Sequence, residues 1–202
     1  MNAAATATLI PLEAVDPAMI EAVLDRAFGP DRHARTAYRI REGMPWLPTL
    51  SFAALDEDEL LVGTIQCWPI ALQTKQGQVP LVMVGPVAVV PERQGEGFGV
   101  GLMSAMLDAD ARLAANGRGA IPSSSSGAVG QRSPSSSSGA VRQSRLPQVL
   151  IGDADYYGRW GFSAAMTGGW RCPGPYEPDR LLARGAALAA MPAEGMLGPW
   201  EA

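Results

Sequence analysis

The chain has 202 residues, of which 47% are hydrophobic and 18% charged, with a formal net charge of −4. This length and composition predict a folded domain with a sizeable core and exclude an intrinsically disordered chain. The acidic balance gives no reason to expect nucleic acid or an anionic membrane surface as a partner. No apolar run reaches the roughly 18 residues that a membrane-spanning helix requires.

The start of the chain and the cysteines bear on cellular location. The segment MNAAATATLIPLEAVD lacks the basic start and long apolar run of a secretion signal. Cys67 and Cys172 lie far apart in strand-like sequence, which favours two reduced thiols and a cytoplasmic protein. Because His33 is the single histidine and no Cys/His cluster exists, we expect no metal site.

In the first half of the chain, hydrophobic periodicity predicts a strand at 7–14, two helices and three further strands. Asp16 and Pro17 are typical of a helix N-cap and first helical position, and Gly29-Pro30 ends that helix. A second, basic helix is predicted at 32–43. The three strands are predicted at 49–55, 60–72 and 79–90, and the last two are almost entirely apolar.

In the second half, a helix is predicted to run to Asn116-Gly117 with one apolar stripe toward the sheet. That stripe consists of Phe98, Leu102, Met106, Ala109 and Leu113. A strand at 148–153 and a short helix or turn follow, and a hairpin is predicted to close around Gly168-Gly169. The tail at 178–191 begins like a helix. The order of elements predicts a mixed α/β fold.

One serine- and glycine-rich segment does not fit this order. Residues 122–143 contain a near-repeat with a period of twelve residues and few large apolar side chains. Such a segment buries too little to offset the entropy of ordering it. We therefore predict a disordered surface insertion at 119–145, in preference to a serine-rich phosphate site. The whole chain, 1–202, is predicted as a single domain with its core at about 5–175 and a C-terminal extension at 176–202.

Four glycines, Gly95, Gly97, Gly99 and Gly101, alternate where the long helix should begin. Unpaired backbone N–H groups at a helix start, together with the helix dipole, bind phosphate anions. The alternative is that the glycines serve only a tight turn and close packing. A P-loop is excluded because no Gly-Lys-Ser/Thr follows, and neither register of the glycines matches the dinucleotide pattern G-x-G-x-x-G.

The remaining pattern is Gln94-x-x-Gly97-x-Gly99 after the strand VGPVAVVP, and it resembles the phosphate loop of the GNAT superfamily of N-acetyltransferases. DYYGRWGF is similar to the family's Y-x-x-x-G-F segment, with Tyr157 four residues before Gly161. With AFGPDRHARTAYRIREG and LVGTIQCWPI, these motifs resemble the YhbS-like bacterial subgroup over about 5–175. The resemblance implies a mixed, mostly antiparallel central sheet flanked by helices, with a splayed pair of strands forming the cofactor groove.

The resemblance also implies acetyl-CoA as co-substrate and a set of residues that bind it. Val87, Ala88 and Val89 would face the pantetheine arm. The pyrophosphate would be held by Gln94, Gly95, Glu96, Gly97, Phe98, Gly99 and Val100. A backbone N–H of Val87 or Val89 is the candidate donor to the developing oxyanion.

Tyr157 is the candidate general acid, because a phenol with a pKa of about 10 is protonated at neutral pH. The alternatives are that Tyr157 only packs against or hydrogen-bonds coenzyme A, or that Tyr156 takes its place. Many relatives carry a glutamate where this chain has Met83, which leaves the general base unassigned. Two possibilities remain open for removal of the amine proton: a chain of water molecules, or an amine that arrives already neutral.

For the acceptor, we expect recognition by the basic second helix, with Arg32, Arg35 and Tyr38 as candidates. A solvated helix face is the alternative for these charges. The predicted function is acetyl transfer from acetyl-CoA to a primary amine of an unidentified small molecule or protein. The alternative is a catalytically silent acyl-CoA-binding module with a sensing role. An exposed edge strand makes a homodimer conceivable.

Overall fold

The computed structural model describes residues 7–115 and 146–201. Eight strands of this part form one sheet, with long helices before and after its central hairpin. The strands are β1 (Thr8–Pro11), β2 (Phe52–Leu55), β3 (Leu61–Thr74), β4 (Gly77–Val89), β5 (Gln148–Ile151), β6 (Gly169–Arg171), β7 (Leu181–Arg184) and β8 (Glu194–Pro199). The α-helices are α1 (Pro17–Phe28), α2 (Thr36–Ile40), α3 (Phe98–Ala115) and α4 (Ala154–Tyr157).

The sheet is mixed and mostly antiparallel, as predicted. Its main order is β1-β2-β3-β4-β5-β7, and β8 pairs with the second half of β3 and with β6. Parallel pairing occurs between β4 and β5 and between β6 and β8, whereas the other pairs are antiparallel. The long β3–β4 hairpin forms the centre because its apolar strands are covered on both faces.

The first helix begins and ends where its sequence predicts. The Asp16 side chain accepts a hydrogen bond of 2.8 Å from the Ala18 N–H, which satisfies an N-terminal donor of the helix. Gly29 follows the last helical residue with a φ of +85°. The prediction of a basic second helix at 32–43 is too long. The helix in the structure, α2, covers only Thr36–Ile40. A 3₁₀ turn at Pro30–Ala34 precedes it, and the extended backbone of Arg35 separates the two.

The predictions for the tail are wrong in two places. Residues 178–191 do not form an α-helix, because Leu181–Arg184 is a strand that pairs along the free edge of β5. Tertiary pairing and burial thus override the helix propensity of this alanine- and leucine-rich segment. Gly168 ends a turn and Gly169 begins β6, but β6 pairs in parallel with β8 instead of closing a hairpin. The sheet therefore extends past residue 175, and 176–202 is not an appendage to the core.

Two clusters of buried apolar residues lie on the two faces of the sheet. The larger one contains the buried side chains of α1 and α3, and the stripe of α3 packs as predicted. The smaller cluster joins α2 to β5, β7 and β8. No helix in the described part of the chain is long and apolar enough to cross a membrane. The predicted insertion at 119–145 lies outside the described residues.

Candidate active site

A gap opens in the sheet where β4 and β5 part. Their parallel pairing is limited to Val82 with Gln148 and Met83 with Val149. Past Met83, β4 continues to Val89 while β5 soon ends and leads into α4. A cavity of about 750 Å³ extends through this gap to the segment between α1 and α2. Its wall near the gap consists of Met83, Val84, Gly85, Pro86, Val87, Leu150, Ile151, Gly152, Asp153, Tyr156 and Tyr157.

The edge of β4 beside the gap carries backbone groups without a strand partner. The Val90 N–H donates to the Val62 carbonyl at 2.9 Å, which fixes the hydrogen-bonding phase of the β3–β4 pair. Because that phase alternates along an antiparallel pair, Ala88 directs its N–H and C=O toward β3. Val87 and Val89 direct theirs away from β3, into the gap. Val87 therefore lines the groove with backbone groups that have no strand partner, whereas the Val89 carbonyl accepts from the Gln94 side chain at 3.0 Å and Ala88 is buried in the core.

The glycine loop leads from β4 into α3. Gly95 and Gly97 have φ values of +85° and +98°, and no atom lies within 4 Å of the position a Cβ would take on either. Their role is therefore conformational, because glycine adopts positive φ at no steric cost. Within the described residues, no acceptor takes the six amides from Gly95 to Val100, and Gly101 donates the first helical bond, to Gly97 at 2.9 Å. The loop presents a cluster of free N–H groups at a helix start, an arrangement that binds anions.

Arg93 fastens this loop to the turn between β2 and β3. Its guanidinium pairs with Asp56 at 2.7 Å, with Glu57 at 2.9 Å and with Glu96 at 2.8 Å. The same group lies 5.1 Å from the centre of the Phe98 ring, which is buried in the core. Phe98 thus offers only its amide to a ligand, and the carboxylate of Glu96 is neutralised beside the free N–H groups.

Two adjacent tyrosines of α4 reach different parts of the groove. The Tyr157 ring lies directly over Gly152, where it leaves no room for a Cβ, and packs edge-on against Phe162 with 6.2 Å between ring centres. Burial raises the pKa of Tyr157 to about 12. The hydroxyl of Tyr156 points instead to the glycine loop, 2.9 Å from the position of a Cβ on Gly99. Tyr157 is therefore packed against the core at the wall of the groove, and Tyr156 lies between the groove and the glycine loop.

Strand β4 contributes no carboxylate to the groove. The position where many relatives carry a glutamate holds Met83, which is buried. Among the described lining residues, the carboxylates are Asp153 and Glu177. Asp153 caps α4 by accepting from the Tyr156 N–H at 2.9 Å. Glu177 lines the cavity from the segment before β7, and no motif in the sequence singles it out. In the described part of the chain, no three His, Cys, Asp or Glu side chains gather as metal ligands.

The three residues predicted to bind the acceptor line the part of the cavity between α1 and α2. They differ in how far their polar groups are already paired within the protein. Arg32 is buried, pairs with Glu21 and with Asp25, and donates to the Tyr38 hydroxyl. Its charge is therefore matched within the protein. Arg35 is exposed and donates to the Phe28 carbonyl at 3.0 Å. Tyr38 lines this cavity and also a second one of about 420 Å³.

Two further residues of this region were not among the predicted site residues. The buried guanidinium of Arg41 lies between the rings of Tyr38 and Trp68, 4.1 and 4.3 Å from their centres. It donates to the Gly85 carbonyl at 2.8 Å, and the Trp68 Nε1–H donates to the same oxygen at 2.9 Å. Gln66 lines the second cavity and is 2% exposed. A lone glutamine inside the apolar strand 60–72 is the signal by which sequence could have found it.

Residues 12–117 match the family described as the acetyltransferase (GNAT) domain, and this match spans more than half of the chain. The chain belongs to the GNAT acetyltransferase family. Its fold is similar to that of the Escherichia coli GNAT N-acetyltransferase YhbS, solved in complex with CoA. The identity is 21%, the TM-score is 0.62, and 99% of this chain and 93% of that chain are covered.

A GNAT acetyltransferase from Brucella melitensis, solved with acetyl-CoA, is 23% identical with a TM-score of 0.48. That alignment covers 90% of this chain and 97% of the Brucella chain. The comparison with curated proteins found no match.

Proposed function

We propose that this chain is an acetyl-CoA-dependent N-acetyltransferase that acts on a primary amine. The observation that carries the proposal is the set of six free amides at the start of α3, next to a strand edge that faces an open groove. Membership of the GNAT family supports it. The CoA bound to the similarly folded YhbS is consistent with it.

The residues present fit the co-substrate. The amides from Gly95 to Val100 suit the pyrophosphate, and the side chain of Gln94 closes the loop by donating to the Val89 carbonyl at 3.0 Å. The backbone of Val87 and Val89 suits the amide groups of pantetheine, as an added strand would. Acetyl-CoA supplies the acetyl group as a reactive thioester.

The groups for the transfer step come from the groove itself. A backbone N–H of Val87 or Val89 is a preorganised donor for the charge that develops on the carbonyl oxygen. Tyr157 keeps its proton at neutral pH, donates it to the departing sulfur as the C–S bond breaks, and is then reprotonated from solvent. The amine must lose one proton as the C–N bond forms, and the thiolate must gain one. Of the two lining carboxylates, Asp153 caps α4, whereas the Glu177 carboxylate has no hydrogen-bond or ion-pair partner among the described residues. We therefore propose that Glu177 takes the amine proton through water.

The competing function is a silent acyl-CoA-binding module, which the burial of Met83 at the position of a common catalytic glutamate favours. Turnover separates the two, since both bind acetyl-CoA. The experiment incubates the protein with acetyl-CoA and a panel of primary amines, and measures released thiol and acetylated product by mass spectrometry. Tyr157→Phe should lower kcat by about 100-fold, the scale of losing a general acid, with unchanged affinity for acetyl-CoA.

Tyr156→Phe is the matched control for that substitution. Because the Tyr156 hydroxyl points to the glycine loop, its removal should affect acetyl-CoA affinity more than kcat. Equal kcat values for Tyr157→Phe and wild type would remove Tyr157 from the mechanism. Acetyl-CoA binding without turnover of any amine would favour the silent module. The cytoplasmic location and a homodimer remain predictions.

A further inference from the structure

The second cavity, of about 420 Å³, lies next to the groove and shares three wall residues with it: Arg32, Tyr38 and Arg41. Trp46 and Trp68 line it as an edge-to-face pair, with 6.3 Å between ring centres. The two cavities therefore adjoin at these three side chains.

Gln66 gives this cavity a polar group that the protein leaves unused. Its side chain is 2% exposed, lines the cavity, and has no hydrogen-bond partner among the described residues. The described side-chain atoms that are sealed from solvent without a partner are the Thr64 hydroxyl and the Gln148 carbonyl oxygen, so the Gln66 amide instead keeps contact with the cavity. The amide of Gln66 is thus available to donate into the cavity.

Arg41 gives the same cavity a positive charge without a carboxylate partner. No described carboxylate lies within the 4.0 Å of an ion pair, whereas neighbouring Arg32 has two. Burial lowers the pKa of Arg41 to about 10, so the guanidinium stays charged at neutral pH. The ring centres of Tyr38 and Trp68 lie 4.1 and 4.3 Å from the guanidinium. One N–H donates to the Gly85 carbonyl and the Tyr38 hydroxyl is a further hydrogen-bond partner, so the remaining N–H groups are the ones that can bind a ligand. An edge of parallel N–H donors matches the geometry of a carboxylate.

The other charged side chains that line the smaller cavity leave the charge of Arg41 uncompensated. Glu21 is paired with Arg32, and Glu42 is exposed at the rim. Arg39 adds another positive charge and donates to the Pro173 carbonyl at 3.3 Å. Arg32 is matched by Glu21 and Asp25. Arg39 and Glu42 carry opposite charges, so the positive charge left unpaired in the cavity is that of Arg41. This charge disfavours a second amine there.

We infer that the acceptor of this enzyme is a small amine that also carries a carboxylate, bound by Arg41 and Gln66 in the smaller cavity while its amine reaches the groove. The inference rests on the proposed acetyltransferase function and names the substrate class of that site. It favours an amino-acid-like acceptor over a protein amino group, because a chain amide would leave the guanidinium of Arg41 unpaired.

The test compares acceptors that differ only in the carboxylate. Wild-type protein and acetyl-CoA are assayed with free amino acids, with the corresponding amino acid amides and with the decarboxylated amines. We expect kcat/KM to be at least tenfold higher for the carboxylates. Equal values for the three sets would overturn the inference, as would a preference for aminoalkyl phosphates included as a further arm.

Variants of Gln66 test the proposed carboxylate site. Arg41 is left in place because it donates to the Gly85 carbonyl of β4, so that its removal would also disturb the groove. Gln66→Glu keeps the shape and places a negative charge beside the carboxylate, so the preference should be lost. Gln66→Met, which removes only the donor, should reduce it by a few fold. A preference retained in Gln66→Glu would place the carboxylate elsewhere and contradict the inference.

Calorimetry with acetyl-CoA separates the two possible failures. The Gln66 variants should bind acetyl-CoA as wild type does, since Gln66 lines the smaller cavity and is not among the lining residues of the groove. A folded wild type that binds no acetyl-CoA would defeat the proposed function. A wild type that binds and turns over amines without a carboxylate preference would defeat only the inference about the acceptor.

Discussion

In the proposed function, the glycine loop and the acceptor end of the groove bind an anion by opposite means. The loop offers six backbone amides that adjoin one another in the chain, and the acidic side chain among them, Glu96, is held by Arg93 at 2.8 Å. The acceptor end presents the side chains of Arg41 and Gln66, which come from different elements. Backbone amides bind any phosphate of suitable size, whereas side chains can be changed one at a time. The difference suggests that the co-substrate is fixed by the fold and the acceptor by a few substitutions.

Arg93 allows the strongest test of whether the two ends of the groove act separately. Arg93→Met frees the carboxylate of Glu96 beside the amides and releases the loop from Asp56. We expect the Kd for acetyl-CoA to rise about tenfold, the scale of a lost positioning interaction, while KM for the acceptor stays unchanged. Calorimetry and steady-state kinetics check the two values.

Arg26→Met is the matched control for Arg93→Met. Arg26 pairs with Glu92 at 2.8 Å near the same loop, but both side chains are largely exposed. Exposed pairs contribute little, so this substitution should leave both constants unchanged. If Arg93→Met alters the acceptor KM as much as the acetyl-CoA Kd, the two ends of the groove do not act separately.

A smaller effect is expected from pH. Because burial raises the pKa of Tyr157 to about 12, this tyrosine should stay protonated across the neutral and moderately alkaline range. The kcat should therefore not fall between about pH 7 and pH 10 through loss of the Tyr157 proton. The pH profile of kcat, measured for wild type and Tyr157→Phe, checks this. A fall centred near pH 8 that is present only in wild type would show that Tyr157 ionises far earlier.

The local features of the fold were predictable from the sequence. Asp16 caps α1, the stripe of α3 faces the core, and the apolar segments at 60–72 and 79–90 form the central hairpin. Each of these depends on residues a few positions apart, so periodicity and turn residues reveal them. The family motif at Gln94–Gly99 is of the same kind.

Features that depend on distant parts of the chain were not predictable in this way. The tail became strands because β5 offered an edge and β3 offered a second partner, and neither is visible at 178–191. Arg41 belonged to a basic run that is typical of an exposed helix face. It is buried because Tyr38, Trp68 and the Gly85 carbonyl surround it. A role for Gln66 could be inferred only once the cavity that it lines was known.

The binding of acetyl-CoA by the glycine loop is the central claim, and Val100 allows its most direct test. Val100 is 39% exposed in the first turn of α3, where a glutamate is favourable to the helix and so should not unfold it. Its charge would, however, repel the pyrophosphate. Calorimetric titration with acetyl-CoA should give tight binding to wild type, binding weakened about tenfold or more for Val100→Glu, and near wild-type affinity for Val100→Gln. Equal affinity of Val100→Glu and wild type would show that the co-substrate does not bind at this loop.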